Sequence, residues 1–434
     1  MFKNNELIID NFAGGGGAST GIEAAFKDIY VDFAANHDPD AIRMHKVNHP
    51  KTIHMQEDIW LVDPMQVTKG RPVGLLWQSP DCTHFSNTAG KRPLSHHIRG
   101  LAWNALKWAA TVRPRVIIME NVPEFVTWGP LNRGKHGYYD ENGVKQFRGG
   151  HRPIEKKKGV TFNQFCKQLA ELGYKIDYRT LCAADYGAAT IRERFFLIAR
   201  CDNEPIRWPE ITHAERHSAE VNKGLLKPYT PATSIIDYHI WGRSVFEKNA
   251  KGENRYGKKA MDRIYQCIRK YIVNEQHPFI VPNSKTDKWD FQIGLITEEY
   301  GCSSGFDPYS PMHTITKTAG AHFKDIRVCL KEVKNYPDSF DERSKNIALE
   351  VSDRCGNIFI GDKYYCVVDI LGRNLMPHEM YKAQGFPEDY IIDRDAEGKV
   401  YSRAAQNARV GNSVVPLMAK LLVQNNFPEF KEAV

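Results

Sequence analysis

The chain has 434 residues with 59 basic and 52 acidic side chains, a formal charge of +7, 42% apolar and 26% charged residues. That balance is globular and excludes a disordered chain, a collagen and a coiled-coil rod, while the length implies about two domains. No apolar run approaches the roughly 20 residues that span a bilayer, and Glu6 and Asp10 interrupt the N-terminal segment where a signal peptide keeps an apolar core, so a soluble, cytoplasmic protein is expected.

Strand patterns fall at Leu7–Asp10, Val31–Ala35, Thr52–Met55, Val73–Gln78, Val116–Glu120, Tyr174–Leu181 and Arg194–Ala199. Helical spacing fills Gly17–Phe26, Pro39–Asn48, Ile98–Val112 and Thr161–Leu172. Strand and helix alternating in this way predict an α/β fold, a mostly parallel sheet with helices on both faces. Between them Arg148–Lys158, with Gly149-Gly150 and three consecutive lysines from Lys156, reads as a basic loop. From Asn203 to Tyr364 the alternation is lost, prolines recur and the strands look short. Within it Gly242–Lys270 carries nine Lys/Arg against three Asp/Glu, the pattern of a solvated face or of a nucleic-acid face. The last 35 residues are expected to be helical, with Leu417–Leu422 as the apolar stripe.

Nine cysteines without a C-x-x-C pair support neither a disulfide framework nor a zinc knuckle. His213 and His217 have metal-ligand spacing, but Ala214 stands where a zincin needs glutamate, and no metal is expected.

The first strand runs into Asn11-Phe12-Ala13-Gly14-Gly15-Gly16-Gly17, a glycine turn that lets backbone approach a ligand. A dinucleotide fingerprint fails at Ser19 and Thr20, and a P-loop fails because Ile22 replaces its lysine. In such a sheet ligands lie across the carboxyl ends of the strands. Asn36, His37 and Asp38 follow the second strand, and Asp58 and Ile59 the third, where an acid for an adenine amine and an apolar cover for its ring are wanted.

Three later stretches narrow the chemistry: Ser79-Pro80-Asp81-Cys82-Thr83-His84-Phe85-Ser86, then Glu120-Asn121-Val122, then Arg192-Glu193-Arg194. With the glycine turn, Arg373–Pro387 and Gly411-Asn412-Ser413-Val414, they resemble the DNA (cytosine-5) methyltransferases in order from end to end. The resemblance implies a class I, Rossmann-like S-adenosylmethionine-dependent domain from residues 1–203 and 400–434. A smaller target-recognition domain would occupy 204–399. It implies double-stranded DNA as partner, a flipped-out target base and a monomer. Carbon 5 of cytosine is a poor nucleophile until a thiolate adds at carbon 6, and Cys82 corresponds to that nucleophile. Glu120 would protonate the ring nitrogen, Arg194 would hold the base's carbonyl oxygen and orient Glu120, and Arg192 would lie near the phosphate backbone or the nucleophile. By the same likeness Phe12, Ala13, Gly14, Gly16, Gly17, Asn36, His37, Asp58, Ile59, Pro80, Leu101, Asn412 and Val414 would hold the cofactor.

The sequence departs from the family at three places. Asp81-Cys82-Thr83 replaces the usual Pro-Cys-Gln, His37 replaces a ribose-binding glutamate, and Thr190 replaces a glutamine. Asp81 beside a thiolate opposes ionisation. Similar departures occur in a phage- and mobile-element-associated branch. Two alternatives share most of these residues: a tRNA cytosine methyltransferase of the same architecture, and a DNA-binding homologue of weak activity.

Overall fold

The structure is a computed structural model that describes residues 5–81, 99–139, 145–273, 275, 277–298, 305–316, 323–333 and 340–429, with backbone only over 133–139 and 145–151. Strands β1 (Leu7–Asn11), β2 (Phe33–Asn36), β3 (Ile53–Gln56), β4 (Val73–Gln78) and β5 (Val116–Asn121) lie within a residue or two of their expected positions. Two further strands, β8 (Lys175–Cys182) and β9 (Glu193–Arg200), complete a seven-stranded sheet of order β3-β2-β1-β4-β5-β9-β8. The first five strands are parallel, while β9 and β8 run antiparallel to their neighbours. All residues of β1, β4 and β5 are buried, so these strands show continuous apolar runs instead of alternation.

The chain leaves β1 towards β2 on one side and reaches β4 on the other, so a crevice opens at the carboxyl ends of β1 and β4. One face is covered by helix α1 (Gly17–Glu23) and the returning helix Pro416–Asn426, with Ile22, Trp77, Ile118, Ile198 and Leu422 in a common core. Gly21 is where these helices meet, since a Cβ there would lie 2.1 Å from the Pro416 carbonyl oxygen. Ile9, Leu76, Trp108, Phe125 and Phe165 fill the opposite face. Helix α2 (Pro39–Asn48) starts where Asp38 accepts from the Asp40 and Ala41 amides. Of the run expected to be helical over Ile98–Val112, Ile98 lies outside the described residues, 99–100 are helical, Leu101–Trp103 is a 3₁₀ turn and Asn104–Val112 is α-helix.

Two expectations need correcting. The middle region holds long strands, Phe291–Glu298, Phe323–Glu332 and Lys363–Asn374, in an antiparallel sheet. They are hidden in the sequence because six central residues of each of the first two are buried in succession. Asp325 and Arg327 break the apolar run yet pair with each other at 2.9 Å. Helices Lys258–Ile268 and Glu342–Cys355 cover one face of this sheet. The basic run therefore ends as an amphipathic helix with Ile264, Tyr265, Cys267 and Ile268 inside and Lys258, Lys259, Arg269 and Lys270 exposed.

The second correction is at Arg148–Lys158. Most of it is strand β7 (Lys145–Pro153), paired over its full length with β6 (Leu131–Tyr139). Gly149 and Gly150 read as a loop, but Gly150 sits opposite Gly134 in the ladder.

Candidate active site

After β1 the chain turns sharply: Phe12, Gly14 and Gly16 have φ of 65°, 50° and 95°. A Cβ at Gly14 would meet nothing nearer than the Phe12 carbonyl oxygen at 3.8 Å, so its requirement for glycine is conformational. The turn forms one wall of a cavity of about 450 Å³ at the crevice, within the roughly 300–1,000 Å³ usual for small-molecule sites.

Phe12, Ala13, Gly14 and Gly17 line it from the turn, Asn36 and His37 from the end of β2, and Asp58 and Ile59 from beyond β3. Pro80, Leu101 and Glu120 come from the middle of the chain, Arg192 and Arg194 from the start of β9, and Asn412 and Val414 from the far end. Gly16 is not among the residues that line the cavity: a Cβ there would stand 2.1 Å from the Tyr390 hydroxyl and 2.9 Å from His49 Nε2. Cys82, the expected nucleophile, lies outside the described residues.

The wall residues are set by local bonds. Asn36 Oδ1 accepts from the Asp38 amide at 2.9 Å, and Asp58 Oδ1 from the Trp60 amide at 3.0 Å. Ile59 is fixed by its carbonyl, which accepts from Asn104 Nδ2 at 3.1 Å. Phe12, Ile59 and Leu101 offer flat or apolar surface, while Asp58, Asn36 and His37 offer acceptors and donors around it. This set fits an adenosine: a slot for the purine, a carboxylate for its amine and polar groups for the ribose.

At the other end of the cavity Glu120, 8% exposed, ends β5 with Oε1 3.0 Å from Arg194 Nε. Arg194 also donates from Nη1 to the Glu193 carbonyl at 2.7 Å. Next to Glu120, Asn121 Nδ2 donates to the Pro80 carbonyl at 3.1 Å, lacing the end of β5 to the segment that leads into Cys82.

Arg192 does something other than expected. Although it borders the cavity, it is 3% exposed, and its guanidinium donates to the carbonyls of Ile315 at 2.9 Å and of Gly411 and Ser413 at 3.0 Å. It ties the start of β9 to the stretch His313-Thr314-Ile315-Thr316 and to the loop 411–414 that closes the cavity from the chain's far end. The bond from the Met312 amide to the Ala189 carbonyl and that from Ile191 to Met312, both 2.8 Å, lay the same stretch alongside.

Several contributing residues went unread in the sequence. Arg409 reaches from the chain's far end to Asp38, 2.9 Å away, and both border the cavity. Tyr390 donates to the Gly15 carbonyl at 2.6 Å. Asn48 exchanges two 2.8 Å bonds with the backbone of Ile391, fastening that segment to α2. Asp38 could be read as a helix cap, but partners some 340 to 370 residues away leave no local signal. Beneath the turn, buried Asp10 accepts from Ser19 Oγ at 2.7 Å, and His45 Nε2 lies 2.9 Å from the same hydroxyl. Loss of water pushes Asp10 up to about 7 and holds His45 well below the usual histidine range.

A ligand cavity at the strand-order reversal of a mostly parallel sheet, with a carboxylate–guanidinium pair at its far end, is the layout of a Rossmann-like ligand-binding domain. The model of the C-5 cytosine-specific DNA methylase family matches residues 7–130 and 151–427. The type II methyltransferase M.AquIA of Picosynechococcus is 29% identical over 240 residues, 53% of this chain and 87% of that one. M.DdeI of Desulfomicrobium norvegicum is 21% identical over 429 residues, 96% of this chain and 87% of that one. The Dnmt2 methyltransferase of S. pombe shares the fold, with a TM-score of 0.51 at 14% identity over 98% of this chain and 99% of that one. The chain belongs to the C-5 cytosine-specific DNA methylase family, and its activity is methylation of cytosine at carbon 5 in DNA.

Proposed function

We propose that the methyl donor is S-adenosylmethionine and that the target is a cytosine flipped out of double-stranded DNA and attacked by Cys82. The observation that carries this reading is one cavity with an adenosine-shaped set at one end and the Glu120–Arg194 pair at the other. Phe12, Ile59 and Leu101 enclose the purine, Asp58 accepts from its amine, and Asn36 with His37 bonds the ribose. When bound, the donor supplies an electrophilic methyl sulfonium. The Cys82 thiolate forms a bond to carbon 6 of the ring, and Glu120 delivers a proton to ring nitrogen 3. The resulting enamine carbon 5 takes the methyl group as its bond to the donor sulfur breaks. Solvent then removes the carbon 5 proton, the bond from Cys82 sulfur to carbon 6 breaks and ring nitrogen 3 returns its proton to Glu120, which restores the thiolate, the acid and the aromatic ring. Arg194 fixes Glu120 and faces the base's carbonyl oxygen, while Arg192 holds the closing loop in place.

Residues 1–203 and 400–434 form the catalytic domain in this proposal, supported by the helix Pro416–Asn426 completing the core of the first sheet. Residues 204–399 supply target recognition. The enzyme acts as a monomer in the cytoplasm. Among the described residues no helix is long and apolar enough to cross a membrane.

The test is expression of the wild type, Cys82→Ser and Glu120→Gln in cells lacking cytosine methylation, with nucleoside mass spectrometry on DNA and RNA separately. 5-Methyldeoxycytidine is expected in wild-type DNA, absent with Cys82→Ser and reduced at least about 100-fold in rate with Glu120→Gln. Methylation confined to RNA, or unaffected by Cys82→Ser, overturns the reading.

A further inference from the structure

The family model matches up to residue 130 and resumes at 151, and the interval between is the β6–β7 hairpin. The hairpin is thus an addition to the family's common plan, and among the described residues its two strands pair only with each other. Its composition is basic, as is that of Gly242–Lys270. The hairpin, residues 131–153, holds five Lys/Arg against two Asp/Glu, and Lys156, Lys157 and Lys158 follow at its foot after Glu155. Such a concentration is the footprint of a polyanion contact.

The hairpin is set at the site's own edge of the sheet. β5 ends on Glu120 and Asn121, a short 3₁₀ turn Pro123–Thr127 follows, and β6 begins at Leu131. The base is firmly closed. Buried Trp128 accepts at its carbonyl from the Thr161 and Phe162 amides, both at 3.0 Å, and Pro130 accepts from Ile154 at 3.1 Å. A Cβ on Gly129 would stand 2.2 Å from the Lys157 carbonyl oxygen. Nine ladder pairs run from Leu131↔Pro153 to Tyr139↔Lys145, with Gly134 opposite Gly150 and Gly149 opposite Lys135. Nine residues of strand span about 30 Å, close to one turn of a DNA duplex at roughly 34 Å. A two-stranded ribbon is also narrow enough for the major groove.

We propose that this hairpin is an accessory duplex-binding arm: it tracks the phosphates that flank the target cytosine, adding affinity outside the recognised sequence. The inference rests on the chain methylating duplex DNA.

The test compares the wild type with two variants. One neutralises four charges, Arg133→Gln, Lys135→Gln, Arg148→Gln and Arg152→Gln. The other joins Leu131 to Pro153 by a Gly-Gly link, excising the ribbon where the strands already lie side by side. S-adenosylhomocysteine binding checks that each is folded. The KM for DNA is measured between about 50 and 200 mM salt on duplexes of about 12 and 40 base pairs carrying the same unmethylated target site. Each lost phosphate contact lowers the log–log salt slope by about 0.9. If three of the four neutralised charges touch phosphate, the wild type loses about 40-fold more affinity over that range than the four-charge variant on the long duplex. On the short duplex, which offers fewer phosphates beside the arm, that difference should be smaller. Equal slopes and equal KM on the long duplex refute the arm while leaving the methylation reading intact. A wild type that methylates no duplex DNA refutes that reading, and the arm falls with it.

Discussion

Gly17→Ala tests how the cofactor wall is built. Gly17 opens α1 and borders the cavity. A Cβ there would lie 2.1 Å from Ser413 Oγ and 2.2 Å from the Val414 carbonyl oxygen, distances that real Cβ contacts essentially never show. The serine hydroxyl can rotate away. The Val414 carbonyl is main chain, two residues before the helix Pro416–Asn426 packs into the core, so relief requires the 412–414 loop to shift outward. That shift carries Asn412 and Val414 away from the opposite wall. Overpacking of this kind costs about 1–3 kcal/mol. If the cost falls on the closed, ligand-bound wall, affinity drops about 5- to 150-fold. Calorimetric titration with S-adenosylhomocysteine reads the affinity and thermal unfolding reads the stability. Gly70→Ala is the control, because Gly70 also has positive φ, 80°, but nothing within 4 Å of its Cβ position. That variant should lose a little stability and bind as the wild type does. Gly17→Ala binding within twofold of wild type, with unchanged melting, would refute this account of the closing wall.

Arg192→Met removes a charged donor from three carbonyls, and with each such bond worth about 1.5–3 kcal/mol net, a loss of about 3 kcal/mol or more in urea unfolding is expected. Unchanged stability with a fall in kcat alone would instead put Arg192 on the substrate. Asp10, raised by burial to about 7 from 3.8, keeps its proton in the folded chain while the unfolded chain releases it above about pH 4. Its contribution is therefore fully present below pH 4 and is lost as pH rises through 7, on the order of 4 kcal/mol. Asp10→Asn should flatten stability across that window, gaining on the wild type from pH 5 to pH 8; parallel pH profiles for the two proteins would contradict the assignment.

Much of this protein is determined locally. The apolar runs of β1, β4 and β5, the glycine turn after Asn11 and the cap at Asp38 are set by residues within a few positions of one another, so they are legible in the chain. The residue types around Glu120 and Arg194 are legible for the same reason, since a strand end next to a turn is a local pattern. Three features were decided by tertiary structure alone. The strands of the middle sheet bury both faces and pair Asp325 with Arg327 inside, so no period of two marks them. The glycines of β7 become strand because Gly134 and its neighbours in β6 pair with them. Arg192, read as a group for the nucleophile or the phosphates, borders the cavity but also gives three bonds to carbonyls more than 120 residues away, partners that leave no local signal. A sequence states which donors and acceptors a chain owns; only the packed fold decides which of them are used up on the protein itself and which are left to face a substrate.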